Sequence, residues 1–271
     1  MVKNRLLYNY VNIKPLKLFL TLLVLWGVSA LTAFAEEKTE PPLQEGQPLV
    51  FIELFSTQAC GFCPDADKVL SDIIQSGKAI GFACHVDYFD VREGSLSRPF
   101  CSERQANYAR LLQSGPAYTP QMVFNGMLDV MGQRTQHVLK TLDHMAAVST
   151  LQPISLQPLE ESDHYQISFD ALEDHENMPA TIWLAHIDQD HDVVIADGAN
   201  RGRDIIYKNI VSEMKELETW DGGSLTFTFG PEMQENHKGF VVFVQSQTTG
   251  KILASSPLIP SVSIQNEESD S

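Results

Sequence analysis

Two cysteines three positions apart, Cys60-Gly61-Phe62-Cys63-Pro64, stand between an apolar run and a helical period. Leu49 to Phe55 is apolar throughout except for Glu53, which suits a strand buried on both faces of a parallel or mixed sheet. Asp65 to Gln75 carries apolar residues at Ala66, Val69, Leu70, Ile73 and Ile74, with Gly77 beyond as a stop, and predicts a helix. The cysteine pair is thereby placed on a strand-to-helix turn. Cys60 lies just before the helix, where free N–H groups and the helix dipole stabilise a thiolate. Cys63 lies in the first turn, within reach of a mixed disulfide on Cys60. Pro64 costs little there, because the N–H it lacks would have no helical partner.

The following residues alternate in the same way. Ala79 to Val86 reads as a second strand and Ser102 to Leu112 as a second helix. Gln121 to Phe124, the pair Asn125-Gly126 and Met127 to Met131 read as a hairpin with a two-residue turn, and Gln136 to Val148 as a closing helix. After Leu151 the texture changes to short strands: Tyr165–Phe169, Thr181–Ile187, Val193–Ile195, Ser224–Phe229 and Phe240–Gln245. Several alternate polar and apolar residues, as a half-exposed antiparallel sheet requires. Ile205 to Leu217 fits either a strand or a short helix. The expected organisation is an α/β domain over residues 48–150, then a mainly antiparallel, sandwich-like β domain over residues 151–260, then a disordered acidic tail over residues 261–271.

A second signature, Tyr118-Thr119-Pro120, directly precedes the third strand. A proline there is compatible with a cis peptide, which presents the Thr119 backbone beside the sulfurs as a pairing edge for substrate. C-x-x-C after the first strand and Thr-Pro before the third resemble the thioredoxin superfamily. More closely, residues 53–64, His85-Val86-Asp87-Tyr88-Phe89-Asp90 and residues 118–126 resemble a family of bacterial secreted thioredoxin-like proteins catalogued as a domain of unknown function. That resemblance runs from about Leu49 to Leu258 and takes in Asn200-Arg201-Gly202-Arg203 and Trp220-Asp221-Gly222. It implies a thioredoxin-like α/β fold for the first domain, and a substrate-positioning role for Thr119 and Pro120. Cys84 and Cys101 depart from its usual pattern.

Four cysteines allow three pairings. If Cys60 pairs with Cys63, then Cys84 and Cys101 are left to form a structural disulfide; a second exchange pair and two unpaired thiols are the alternatives. A single C-x-x-C half-site argues against a four-cysteine zinc site, and neither a metal nor another cofactor is expected. Glu53 is a candidate proton shuttle, a buried carboxylate able to take the proton of Cys63, or else a strand acid held by a helix terminus or a lysine. His85 and Asp87 are candidate rim residues at the end of the second strand, where open α/β sheets bind ligands; as loop caps they would do no chemistry. Asp188 to Asp192 lacks the glycine and distal glutamate of a calcium loop and reads as a solvated turn.

The N-terminus reads as an address. Residues 1–17 hold Lys3, Arg5, Lys14 and Lys17 and no acid, an apolar run follows from Leu18, and Ala33-Phe34-Ala35 precedes Glu36-Glu37. Residues 1–35 are therefore expected to be a signal peptide cleaved after Ala35, and residues 36–47 a linker. The product would be periplasmic or secreted, with membrane attachment only if cleavage fails. Nineteen Lys and Arg against thirty-five Asp and Glu give a net charge of −16, which disfavours nucleic acid as a partner. The expected function is an exported thiol–disulfide oxidoreductase acting through Cys60 and Cys63 on a disulfide-containing protein or a small thiol, served by an unidentified redox partner. The alternative is a non-catalytic binding or assembly protein whose disulfides stay closed.

Overall fold

The computed structural model describes residues 50–90, 94–160, 162–172 and 176–261. The signal and linker expectations, over residues 1–47, and the tail expectation over residues 261–271 except for Ser261, fall outside these ranges. The first seven elements are β1 (Phe51–Ser56), α1 (Cys63–Gln75), β2 (Ile80–His85), α2 (Pro99–Leu112), β3 (Gln121–Phe124), β4 (Leu128–Met131) and α3 (Thr135–Val148). Short strands follow: β5 (Gln152–Pro153), β6 (Leu156–Pro158), β7 (Tyr165–Phe169), β8 (Ala180–Asp188), β9 (His191–Val194) and β10 (Asp204–Tyr207). The last are β11 (Val211–Trp220), β12 (Leu225–Phe229), β13 (His237–Ser246), β14 (Ile252–Ser255) and β15 (Ile259–Pro260). The ambiguous stretch from Ile205 is strand: β10 and most of β11.

The first sheet has the order β2-β1-β3-β4, with β1 parallel to β2 and antiparallel to β3. The β3–β4 hairpin turns at Asn125 and Gly126, both at positive φ, as the Asn-Gly pair predicts. A larger mixed sheet runs β11-β8-β13-β14-β5, with β15 on β13, and β12-β7-β6 and β10-β9 form two smaller sheets. The described residues all belong to one unit.

This arrangement overturns the expected thioredoxin-like α/β domain with a sandwich behind it. The chain is mostly β, with three helices among the described residues and several mixed and antiparallel sheets. The physical reason lies in what covers the first sheet. One face, carrying Val50, Ile52 and Leu54, packs on Ala66 and Leu70 of α1 and on Val138, Leu142 and Met145 of α3. The opposite face, with Phe51, Phe55 and Phe82, shares a core with Ala185 and Ile187 of β8, Val211 of β11 and Val241 and Phe243 of β13. Strands of the larger sheet thus take much of the place that a second helical layer would fill. Hydrophobic alternation identifies which side chains turn inward but not which element meets them.

Cys84 and Cys101 are disulfide-bonded, with 5.3 Å between Cα atoms and 17 residues between them in sequence. The bond ties the end of β2 to the first turn of α2, inside the core shared with Phe82 and Tyr108. Replacing both cysteines by alanine should lower the unfolding free energy by about 3 kcal/mol, the loop-closure contribution for a loop of this length. Urea denaturation of the wild type and the double variant checks this.

Candidate functional site

The motif loop leaves β1 at Ser56 and enters α1 at Cys63. The loop is closed by Cys60 N donating to Thr57 O (3.3 Å) and Cys63 N donating to Cys60 O (3.2 Å). Cys60 is partly exposed, Cys63 is fully buried, and both are free thiols. Phe62 between them is 64% exposed, and Tyr88 and Phe89 expose their rings, packed edge to face with centroids 4.7 Å apart.

The two sulfurs differ sharply in acidity. The hydrogen bond from the Cys63 thiol is the largest influence on Cys60; partial burial opposes it, and the Thr119 side chain and the N–H groups of Phe62 and Cys63 add to it. Together they bring the Cys60 thiol down to about 5. The same hydrogen bond, burial and the charges of Asp67 and Cys60 push Cys63 far up. One sulfur therefore holds a negative charge at neutral pH and its neighbour keeps a proton, the division of labour that nucleophilic attack followed by resolution needs.

The Thr119–Pro120 peptide is cis, and Thr119 O lies 3.7 Å from the Cys60 sulfur, within reach of its proton when the thiol is neutral. The loop is held from behind. Gln105 of α2 donates to Tyr118 O (2.7 Å) and to Gln121 Oε1 (2.9 Å), and accepts from the Tyr88 hydroxyl (2.9 Å). Gln121 Nε2 and the Tyr118 hydroxyl both donate to Asp129 of β4, and Gly132 N donates to Pro120 O. Cys60, Cys63, Thr119 and Pro120 are thus brought together.

Glu53 is not among them. It is buried on the opposite face of β1, where its carboxylate accepts two bonds from the Arg104 guanidinium and one from the Tyr108 hydroxyl. Arg104 lies 5.3 Å from the ring centres of Tyr108 and Phe243 and 5.9 Å from that of Trp183. Burial works against its charge, but Glu53 and Tyr108 outweigh that and hold the guanidinium more firmly protonated than usual. Asp87 accepts from Ser102 Oγ of α2, and its own N–H donates to the same hydroxyl. His85 is fully buried rather than on a rim.

The carboxylate beside Cys63 is Asp67, one turn further along α1. Its Oδ2 accepts from Ser56 Oγ at 2.7 Å, its Oδ1 lies 3.6 Å from His85 Nε2, and the Ser56 side chain hydrogen-bonds Cys63. The Tyr207 ring packs edge to face on His85, with centroids 5.2 Å apart. Sequence reasoning passed over Asp67, Tyr207 and Gln105, and took in Ser56 and Asn200 only as parts of matching motifs, with no contact to the cysteine loop assigned to either. The four-residue spacing of Cys63 and Asp67 on one helix was a usable signal for the first; the others depend on distant segments meeting. Among the described residues, no group of three or more His, Cys, Asp or Glu side chains is placed to hold a metal ion.

Fold and site together define a mostly-β protein that presents a charge-separated cysteine pair beside a cis-proline loop. The chain belongs to the family described as protein of unknown function (DUF1223), whose pattern it matches over residues 51–245. This agrees with the resemblance read from residues 53–64 and 118–126. A crystal structure of a protein from Agrobacterium tumefaciens, determined as a structural-genomics target, is 26% identical. It aligns with a TM-score of 0.65 over 78% of this chain and 93% of that one. No curated protein matches the chain.

Two outcomes follow from this geometry. Alkylation of Cys60 by iodoacetamide should rise with pH about a midpoint near 5, because only the thiolate reacts; mass spectrometry of quenched samples reads the midpoint. Arg104→Ala should destabilise the protein by about 3–5 kcal/mol in urea, since it strands a buried carboxylate, and should leave the alkylation midpoint unchanged.

Proposed function

We propose that the protein is a thiol–disulfide oxidoreductase working through Cys60 and Cys63. The observation that carries this reading is the opposed acidity of the two sulfurs, with the more acidic one partly exposed beside the cis Thr119–Pro120 peptide. Kinship with the thioredoxin superfamily enters the proposal at the level of these two motifs, not of layer order.

The Cys60 thiolate attacks one sulfur of a substrate disulfide; that bond breaks, and the departing sulfur leaves as a thiolate. Cys63 then passes its proton through the Ser56 hydroxyl to Asp67 and attacks the Cys60 sulfur. The mixed disulfide breaks, the second substrate thiolate leaves, and Cys60–Cys63 closes. The substrate gains two electrons that the dithiol loses, and the reverse sequence oxidises a substrate dithiol. Substrates are disulfide-containing proteins or small thiols, and a separate redox partner resets the pair. The exposed rings of Phe62, Tyr88 and Phe89 suit the apolar part of such a substrate.

Export belongs to the same proposal. The basic, apolar, Ala-x-Ala sequence of residues 1–35 supports it, as does the Cys84–Cys101 disulfide, a bond typical of oxidising compartments.

Trapping decides the matter. Cys63→Ser should accumulate mixed disulfides with client proteins and Cys60→Ser should not, as non-reducing gels followed by mass spectrometry would read. Equal trapping by both variants, or by neither, would favour a binding scaffold with closed disulfides. In the same assay Asp67→Asn should slow release of the mixed disulfide about a hundredfold, the range for loss of a positioned proton acceptor.

A further inference from the structure

A segment from far along the chain crosses the motif loop. Asn200, in the turn between β9 and β10, is 1% exposed and 140 residues from Cys60 in sequence. Its Nδ2 donates to Gln58 O at 2.9 Å and to Cys60 O at 2.8 Å. Its Oδ1 accepts from Arg203 Nη1 at 3.0 Å. A side chain built on Gly61 would begin 3.4 Å from the Ala199 Cβ, and Gly198 lies over the Ala59 backbone. Residues 198–200 therefore cover the loop from Gln58 to Gly61.

The turn itself does not need this side chain. It is closed by main-chain bonds from Arg201 N to Gly198 O, Gly202 N to Ile195 O, Ile195 N to Arg203 O and Arg203 N to Asn200 O. The Asn200 amide is spent on another segment, on the carbonyl of Gln58 and on that of Cys60 itself. Within the loop the Cys60 carbonyl also accepts from Cys63 N at 3.2 Å. Without the second donor from Asn200 that one bond would have to hold it, and a tilt of the carbonyl would bring its negative end toward the Cys60 sulfur and loosen the loop that carries the Phe62 and Cys63 N–H groups.

We propose that Asn200, oriented by Arg203, is a positioning residue for the exchange chemistry, holding the Cys60 carbonyl so that the loop N–H groups stay aimed at the Cys60 sulfur. This rests on the reading of Cys60 and Cys63 as an exchanging pair. The hairpin thereby tunes a nucleophile it does not touch through any side chain of the motif. Arg203 adds a weak tie of its own, its Nη2 lying 3.9 Å from Asp65 Oδ1 in the first turn of α1.

The test measures iodoacetamide alkylation of Cys60 against pH in the reduced full chain, for wild type, Asn200→Ala and Arg203→Ala. Asn200→Ala should raise the midpoint by about one unit, so that alkylation is roughly tenfold slower at pH 4 and unchanged at pH 8. Arg203→Ala, at a half-exposed side chain, should shift it the same way and less, and it remains informative if the asparagine variant does not fold. A lowered melting temperature with an unmoved midpoint in the folded variants would overturn the proposal. A wild type whose Cys60 titrates like an ordinary thiol, or whose Cys63→Ser variant traps nothing, would instead remove the exchange reading beneath it.

Discussion

The hydrogen bond between the two sulfurs organises this molecule's chemistry. Cys63 can lend its proton to Cys60 only because it is buried in the first turn of α1 while Cys60 stands just outside. That difference is positional, not intrinsic: the residues are identical, and the helix start separates them. Burial makes an anion on Cys63 costly, the Asp67 charge makes it costlier, and the same bond makes an anion on Cys60 cheap.

Such a loop is strained by no outlier, but its polar main chain needs partners that a six-residue connection cannot supply alone. They come from several elements. Thr119 reaches the sulfur from the cis-proline loop, Gln105 of α2 braces that loop, and Asn200 covers the carbonyls. The β10–β11 junction is fixed in turn, since Ala83 N donates to Asn209 O and Asp188 N to Ile210 O, tying β2, the β10–β11 junction and β8 together. The motif loop is thus held by the loop before β3, by α2 and by the β9–β10 turn together.

The sequence disclosed the local parts well. The strand-to-helix placement of Cys60 and Cys63, the Asn125-Gly126 turn, the cis-compatible Pro120 and the Cys84–Cys101 pair all depend on a few neighbouring residues or on simple elimination. What it did not disclose was the cover of the first sheet. Phe51, Phe55 and Phe82 are as apolar against Phe243 and Val241 as they would be against a helix, so the period of β1 is the same in either architecture. Asn200 was equally hidden, because a turn-forming asparagine and one that serves a distant carbonyl look alike in sequence.

Glu53 and Asp67 show where parity had to replace proximity. In β1, side chains alternate, so Ile52, Leu54 and Ser56 face α1 while Phe51, Glu53 and Phe55 face the larger sheet. Glu53 is near Cys60 in sequence yet on the wrong side of the sheet, where Arg104 neutralises it. Ser56 has the right parity, and Asp67 has the right helical spacing from Cys63, so the two converge beneath the buried sulfur. His85 follows the same rule: in β2 it shares the face of Ala83, toward α1, whereas Cys84 turns the other way to meet Cys101. A carboxylate that is to take a proton from Cys63 must lie on the α1 side of the sheet. Among the acids of β1 and α1, Asp67 is the one buried there.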